Sequence, residues 1–254
     1  MSAPTVTPAT LPSLSPDQFE KITQIMVKEL GLGLLYMIEN SGRAAAILLR
    51  QLVGGNLARK KFVVLAGAGN SGATGLVAAR HLFDGGAKVT VVLSRPTEAL
   101  SYISGYEQRL LYRCGLATNV QAEMPTLRLM DSLKNSNFVV DALVGSGLRG
   151  PLHGAELFIT QILEQADARV FSLDLPTGLP VQPQLEILEP IIKAHSTLAL
   201  GLPRQIHFEP SSKPYTGELY LGDIGIPNAV YQKLGLKIGP LFGAGDILYL
   251  RRKI

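Results

Sequence analysis

An apolar run, Phe62-Val63-Val64-Leu65, leads straight into Ala66-Gly67-Ala68-Gly69-Asn70-Ser71-Gly72-Ala73-Thr74-Gly75, which passes into Leu76-Val77-Ala78-Ala79-Arg80-His81-Leu82. The first segment reads as a buried strand and the last as a helix, so a glycine-rich loop joins a strand end to a helix start. Glycine permits positive φ and lets the backbone come close to a ligand. The first N–H groups of a helix lack intrahelical partners and carry the positive end of its dipole. An anion, most often a phosphate, is the natural occupant of such a place.

The rest of the chain keeps this strand-then-helix rhythm. Further strands are predicted at 88–93, 117–121, 138–143, 170–174, 196–200 and 218–223, with helices at 98–114, 126–134 and 154–166 between them. Runs such as Val139-Val140 are apolar without alternation, as in strands covered on both faces. A mostly parallel sheet with helices on both sides follows. Two helices precede it. The first opens on a capping box, Ser15-Pro16-Asp17-Gln18, and carries Phe19, Ile22, Ile25, Met26 and Leu30 at helical spacing. The second covers 34–53 and holds Gly42 in its interior. Glycine there costs about 1 kcal/mol against alanine, so close approach of another backbone is expected. Asn40 and Ser41 beside it face a ligand, face a partner subunit or simply pack. No internal repeat or shift of composition divides the chain. It reads as a flexible tail at 1–14, one domain at 15–227 and a short C-terminal extension at 228–254.

Composition removes several function classes. The net charge of +4 is scattered along the chain, without the basic stripe or stacking aromatics of a nucleic-acid binder. Arg251-Arg252-Lys253 reads as a solvated tail. A single cysteine, Cys114, excludes an internal disulfide and cysteine-based zinc, and its apolar neighbours predict a buried structural thiol. No apolar run reaches membrane-spanning length. Residues 1–14 contain no charged side chain, unlike a secretory signal or a mitochondrial presequence. A cytoplasmic protein in a reducing compartment is expected.

Ligands of open α/β sheets bind beyond the carboxyl ends of the strands. Two later strands end there in unusual chemistry. One ends at Asp141, followed by Gly145-Ser146-Gly147-Leu148-Arg149-Gly150; the other ends at Asp174, followed by Pro176-Thr177-Gly178. The glycine loops suit a pyrophosphate. The acids suit a sugar, a metal ion or a reacting base, although an Asp at a strand end also serves as a plain helix cap. Gly67-x-Gly69-x-x-Gly72 matches a dinucleotide fingerprint. The acid expected after the second strand is replaced by Ser94-Arg95, and Arg95 suits an NADP 2′-phosphate. No Tyr-x-x-x-Lys accompanies it, no Walker lysine ends the glycine run, and no Gly-x-Ser-x-Gly elbow is present. His81, His153, His195 and His207 lack metal-ligand spacing; His81 and His195 read as surface or packing residues.

These motifs resemble the YjeF N-terminal domain family, which includes NAD(P)H-hydrate epimerases and the apolipoprotein A-I binding protein. The resemblance runs from about Ile22 to Pro227. It rests on Met37-Ile38-Glu39-Asn40-Ser41-Gly42-Arg43-Ala44, the stretch Gly67 to Arg80, Val140-Asp141-Ala142-Leu143 with the loop to Gly150, Asp174-Leu175-Pro176-Thr177-Gly178-Leu179, and Gly217-Glu218-Leu219 with Asp223-Ile224-Gly225-Ile226-Pro227. They follow in the family's order. The resemblance implies a Rossmann-like three-layer α/β/α sandwich, usually a homodimer, that epimerises hydrated NADH or NADPH at C6 of the nicotinamide ring. It also implies a paired dehydratase that takes only the S form, and a potassium ion beside the nucleotide. Carried over, Asn70, Ser71, Gly72, Ala73 and Thr74 hold the nucleotide together with Gly145, Ser146, Gly147, Leu148, Arg149, Gly150 and Pro151. Asp174 contacts the reacting ring as the catalytic acid or base. Ser71, Asp141 and Thr177 stand at potassium positions. The chain departs from the family at Ser71, Ala73 and Thr74, where the family has Asn, Gly and Asp, and Arg204 stands displaced from a family Lys. The alternative reading is therefore a catalytically inactive member that binds a nucleotide or serves as a scaffold, as some relatives do in RNA decapping and lipid handling.

Overall fold

The computed structural model describes residues 3–7 and 11–251. Strand β1 is Thr5–Val6; helices α1, Pro16–Gln24, and α2, Leu34–Leu52, follow. The alternating part runs β2 (Lys61–Ala66), α3 (Asn70–Asp84), β3 (Lys88–Leu93), α4 (Tyr102–Arg113), β4 (Thr118–Val120), α5 (Thr126–Lys134), β5 (Phe138–Ala142), α6 (Gly154–Ala166), β6 (Val170–Leu173) and β7 (Ser196–Leu200). The chain then passes through α7 (Lys213–Thr216), β8 (Glu218–Gly222), α8 (Asn228–Lys233) and β9 (Ile247–Leu250). Among the described residues these strands form one sheet of nine, ordered β1-β9-β8-β7-β6-β5-β2-β3-β4. Every neighbouring pair is parallel except β8 with β9.

Strand order reverses between β2 and β5, which makes the gap beyond their carboxyl ends the switch point of the sheet. Side chains alternate across the sheet. Phe62, Val64 and Ala66 of β2 pack with α2 and α3 on one face, while Val63 and Leu65 pack with α5 and α6 on the other. The expected three-layer α/β/α sandwich with a mostly parallel sheet is therefore the architecture. The capping box is formed as read: the Ser15 side chain accepts from the Gln18 N–H, and the Gln18 side chain accepts from the Ser15 N–H.

Four local expectations change. The helix expected at 98–114 is a short 3-10 turn, Thr97–Ala99, followed by α4, because Ser101 caps a new start by accepting from the Ser104 N–H. Cys114 is exposed at the end of α4 rather than buried. The stretch read as a flexible tail is held where it is described: β1 pairs with Tyr249 and Leu250, and Leu14 is fully buried with its N–H on the Pro203 carbonyl. The C-terminal extension supplies β9, whose apolar run Ile247-Leu248-Tyr249-Leu250 finds its partner in β8. Arg252 and Lys253 lie outside the described residues.

The contact expected at Gly42 is present. A Cβ built there would lie 2.5 Å from the Val77 Cβ and 2.8 Å from the Thr74 carbonyl oxygen on α3. Gly42→Ala is expected to lower the unfolding free energy by about 1–3 kcal/mol in urea titration, because overpacking outweighs the gain in helix propensity. Equal or greater stability would contradict this close packing.

Candidate functional site

The glycine-rich stretch is less of a loop than expected. Helix α3 begins at Asn70, so only Gly67, Ala68 and Gly69 connect it to β2. None of Gly67, Gly69, Gly72 and Gly75 takes positive φ. Their use is proximity. A Cβ on Gly67 would meet the Leu143 carbonyl oxygen at 1.9 Å, one on Gly72 the Gly67 carbonyl oxygen at 1.8 Å, and one on Gly75 the Ala142 Cβ at 2.5 Å. Real Cβ atoms do not come so close, so the ends of β2 and β5 and the first turns of α3 touch through backbone alone. The Ala73 N–H is bonded to the Gly69 carbonyl at 3.0 Å. The amides of Asn70, Ser71 and Gly72 are the ones at the positive end of the helix.

The loop after β5 is tied to this helix start. The Gly145 N–H donates to the Ser71 Oγ at 3.1 Å, and the next amide back, Val144, donates to the Thr177 Oγ1 at 3.0 Å. Asp141 anchors the same place from below. Its Oδ2 accepts from the Ser172 hydroxyl at 2.8 Å and the Thr177 N–H at 2.9 Å; its Oδ1 accepts from the Thr177 hydroxyl at 2.6 Å and, more weakly, from the Leu143 N–H. Burial pushes the Asp141 carboxyl above the ordinary carboxylate range, and these donors pull it only part of the way back. Among the described residues no basic side chain forms an ion pair with it.

Asp174 lies at the end of β6 with a different environment. Its φ of 61° is left-handed, uncommon for a residue with a Cβ. The Leu175 N–H closes a three-residue turn around it onto the Leu173 carbonyl at 2.8 Å, and the His207 ring holds its carbonyl oxygen at 2.7 Å. Because the Arg204 N–H donates to His207 Nδ1, the ring proton belongs on Nε2, where it reaches the Asp174 carbonyl. The Arg204 guanidinium grips the carboxylate, Nε at 3.1 Å from both oxygens and Nη2 at 3.0 Å from Oδ2. Arg204 is 1% exposed, sits over the Phe19 ring, and leaves Nη1 buried without a hydrogen-bond partner. Strained backbone so firmly overdetermined is a mark of a functional position.

A cleft of about 1030 Å³ opens over the switch point. Asn70, Ser71 and the residues Gly145 to Gly150 line it, facing Asp17, Phe19 and Glu20 of α1. A smaller recess of about 110 Å³ adjoins it through Phe19, Thr23, Asn70, Ser71 and Ser146. Asp174 and Thr74 line the recess among Leu34, Met37, Ile38, Leu173, Leu200 and Ile224. The two chambers thus gather most of the residues picked out in the sequence. Gly72, Ala73 and Pro151 line neither: Gly72 and Ala73 are packed inside, and Pro151 lies outside on the surface. Asp141 and Thr177 lie beneath the floor. Ser41 does reach the recess, with its hydroxyl on the Met37 carbonyl, whereas Asn40 donates to the Ile224 carbonyl instead.

Sequence reasoning missed two walls. The α1 face at Phe19 and Thr23 and the α2 face at Leu34, Met37 and Ile38 carried only a helical apolar pattern, which cannot separate a pocket wall from core. Arg95, placed in the sequence at a strand end, lines the cleft beside Glu156 of α6. Among the described residues no group of three or more His, Cys, Asp or Glu side chains is arranged for a metal ion.

Comparison with known proteins gives one coherent set of relatives. The family model described as YjeF-related protein N-terminus matches residues 35–206. The NAD(P)H-hydrate epimerase of Dehalogenimonas lykanthroporepellens is 34% identical, covering 91% of this chain and 87% of that protein. The protein of the same name from Truepera radiovictrix is 32% identical, covering 88% and 94%. The bifunctional NAD(P)H-hydrate repair enzyme Nnr of Thermofilum pendens is 32% identical, but the match covers 80% of this chain and only 38% of that longer protein. In fold, a crystal structure of yeast ynu0 (YNL200c) superposes with a TM-score of 0.79 over 94% of this chain and all of that one, at 24% identity.

The Thr177 hydroxyl serves Asp141 and the cleft loop together, so Thr177→Val is expected to lower stability by about 1–3 kcal/mol, the cost of leaving buried partners unmet. Thr177→Ser should restore most of it. Denaturant titration checks this, and a valine variant as stable as wild type would contradict the network.

Proposed function

The chain belongs to the family of YjeF-related protein N-termini, and from that membership and the geometry of the cleft we propose that it epimerises hydrated NADH and NADPH. The observation that carries this reading is Asp174: a carboxylate on strained backbone, opening into an apolar recess beside a nucleotide-sized cleft. The amides of Asn70 and Ser71 and the loop from Gly145 to Gly150 receive the phosphates. The nicotinamide ring enters the recess.

The chemistry asks for little more. Loss of the hydroxyl at C6 leaves a cationic ring, and water returns to either face. Asp174 gives a proton to the departing hydroxyl, which leaves as water, places its negative charge beside the cation so formed and takes a proton back from the water that returns. Leu34, Met37, Ile38 and Leu200 keep bulk water off the ring. Arg204 fixes the carboxylate's orientation. Its unpartnered Nη1 is a donor for a substrate oxygen.

A potassium ion is part of the proposal. The Thr177 and Ser71 hydroxyl oxygens stand on the amides of Val144 and Gly145, the Thr177 hydroxyl reaches Asp141, and the buried Asp141 has no ion-pair partner among the described residues. That chemistry fits a hard cation. When bound, the ion supplies the counter-charge. We also infer a homodimer, supported by exposed Leu35, Tyr36, Tyr102 and Tyr106 on α2 and α4. A functional pairing with an S-specific dehydratase is supported by the longer relatives named bifunctional repair enzymes. A cytoplasmic location agrees with the absence, among the described residues, of a helix long and apolar enough to cross a membrane.

An inactive binding or scaffold role is the competing reading. It is favoured by the Thr74 hydroxyl, which turns back onto the Asn70 carbonyl of its own helix. Activity separates the two. With the R form of hydrated NADPH and an S-specific dehydratase, Asp174→Asn is expected to lower the epimerisation rate at least about tenfold, in the range of a lost acid–base group. A variant as fast as wild type removes Asp174 from the reaction. For the ion, exchanging sodium for potassium at constant ionic strength should raise the melting temperature of wild type and not of Asp141→Asn. Identical melting of wild type in both salts contradicts a potassium site.

A further inference from the structure

We propose that Arg95 reads the ribose 2′-phosphate, so that the site prefers hydrated NADPH to hydrated NADH. This rests on the nucleotide reading above and goes beyond it, since the mechanism does not distinguish the two cofactors.

The position comes from topology. The inner strands run β4-β3-β2-β5-β6-β7, with the glycine turn after β2 and Asp174 at the end of β6. In a sheet of this order, the half before the switch point holds the adenosine and the half after it the nicotinamide. The carboxyl end of β3 therefore faces the adenosine ribose. Arg95 lies two residues beyond that end and lines the cleft with Gly69 and Asn70.

The chemistry at that position is one-sided. An acid there would accept the free 2′-hydroxyl of the unphosphorylated cofactor. The acid present is Glu156, and it is engaged. Its side chain is 10% exposed, and its carboxylate accepts from the Ser94 hydroxyl at 2.8 Å, Arg95 Nε at 3.1 Å and Arg95 Nη2 at 2.8 Å. The guanidinium stands in front of it on a side chain that is 38% exposed, with Nη1 making no hydrogen bond among the described residues. Glu156 thus acts as a positioning residue that holds the planar fork in place, and Arg95 presents a fixed positive charge to the cleft. A phosphate dianion suits that group, and a neutral hydroxyl gains much less from it. Arg149 does not hold this position, because it lies in the loop after β5, on the other side of the switch point, where its Nη1 donates to the carbonyls of Ser146 and Leu148.

A purely structural ion pair between the end of β3 and α6 would leave cofactor choice untouched, so binding selectivity decides. Equilibrium titration compares ADP-ribose with its 2′-phosphorylated form, a readout independent of epimerase activity. Wild type is expected to bind the phosphorylated ligand about tenfold or more tightly, as for a hydrogen bond to a charged group. The double variant Arg95→Gln/Glu156→Gln, which leaves no unpaired buried charge, should bring the ratio to about one, and Arg95→Lys, which keeps the charge, should fall between them. Equal binding of the two ligands by wild type, or a preference that survives in the double variant, overturns the role of Arg95 alone. Failure of wild type to bind either ligand overturns the nucleotide reading as well.

Discussion

The site depends on backbone lying against backbone where no side chain fits. Gly67 and Gly72 bring the ends of β2 and β5 and the start of α3 within distances that a single Cβ would forbid. That contact sets the start of α3, with Asn70 and Ser71, in the wall of the cleft. It also brings Ser71 within reach of the Gly145 N–H, so the two loops that floor the cleft are one hydrogen-bonded unit. Gly75 against Ala142 and Gly42 against Val77 continue the same close packing outward, to β5 and to α2. The recess exists because α2 is held this near.

Two aspartates, one inside β5 near its end and one just after β6, meet different fates on this floor. Asp141 is enclosed, and its oxygens are taken up by Ser172, Thr177 and Leu143; it fastens β5 to the turn after β6. Asp174, on left-handed backbone, lines the recess, with its carboxylate gripped by Arg204 and its carbonyl held by His207. The difference is one of position, backbone conformation and neighbours: Asp141 stands inside β5, in register with Ser172, while Asp174 follows the last residue of β6. Asp141 belongs to the framework and to the proposed ion position, and Asp174 to the recess.

Much of this was legible in the sequence because it is local. Strand and helix alternation, the capping box at Ser15 and the crowded glycine in α2 all show as patterns within a few residues. The glycine stretch was legible as special, but its physical use was not: composition cannot tell positive φ from close approach, and here close approach is the reason. What stayed hidden links distant residues. Arg204 reaches Asp174 from 30 positions away, and β1 meets β9 across nearly the whole chain. The walls formed by α1 and α2 look in sequence like ordinary apolar helix faces, since a pocket wall and a core face carry the same periodicity.

The central claim is that a carboxylate held in an apolar recess epimerises a hydrated nicotinamide ring. The direct measurement is the ratio of R to S forms over time, by chromatography, after the purified protein is mixed with the pure R form of hydrated NADPH and no second enzyme. The account predicts that the mixture reaches the R/S equilibrium well ahead of a protein-free control. An approach no faster than that control would contradict it.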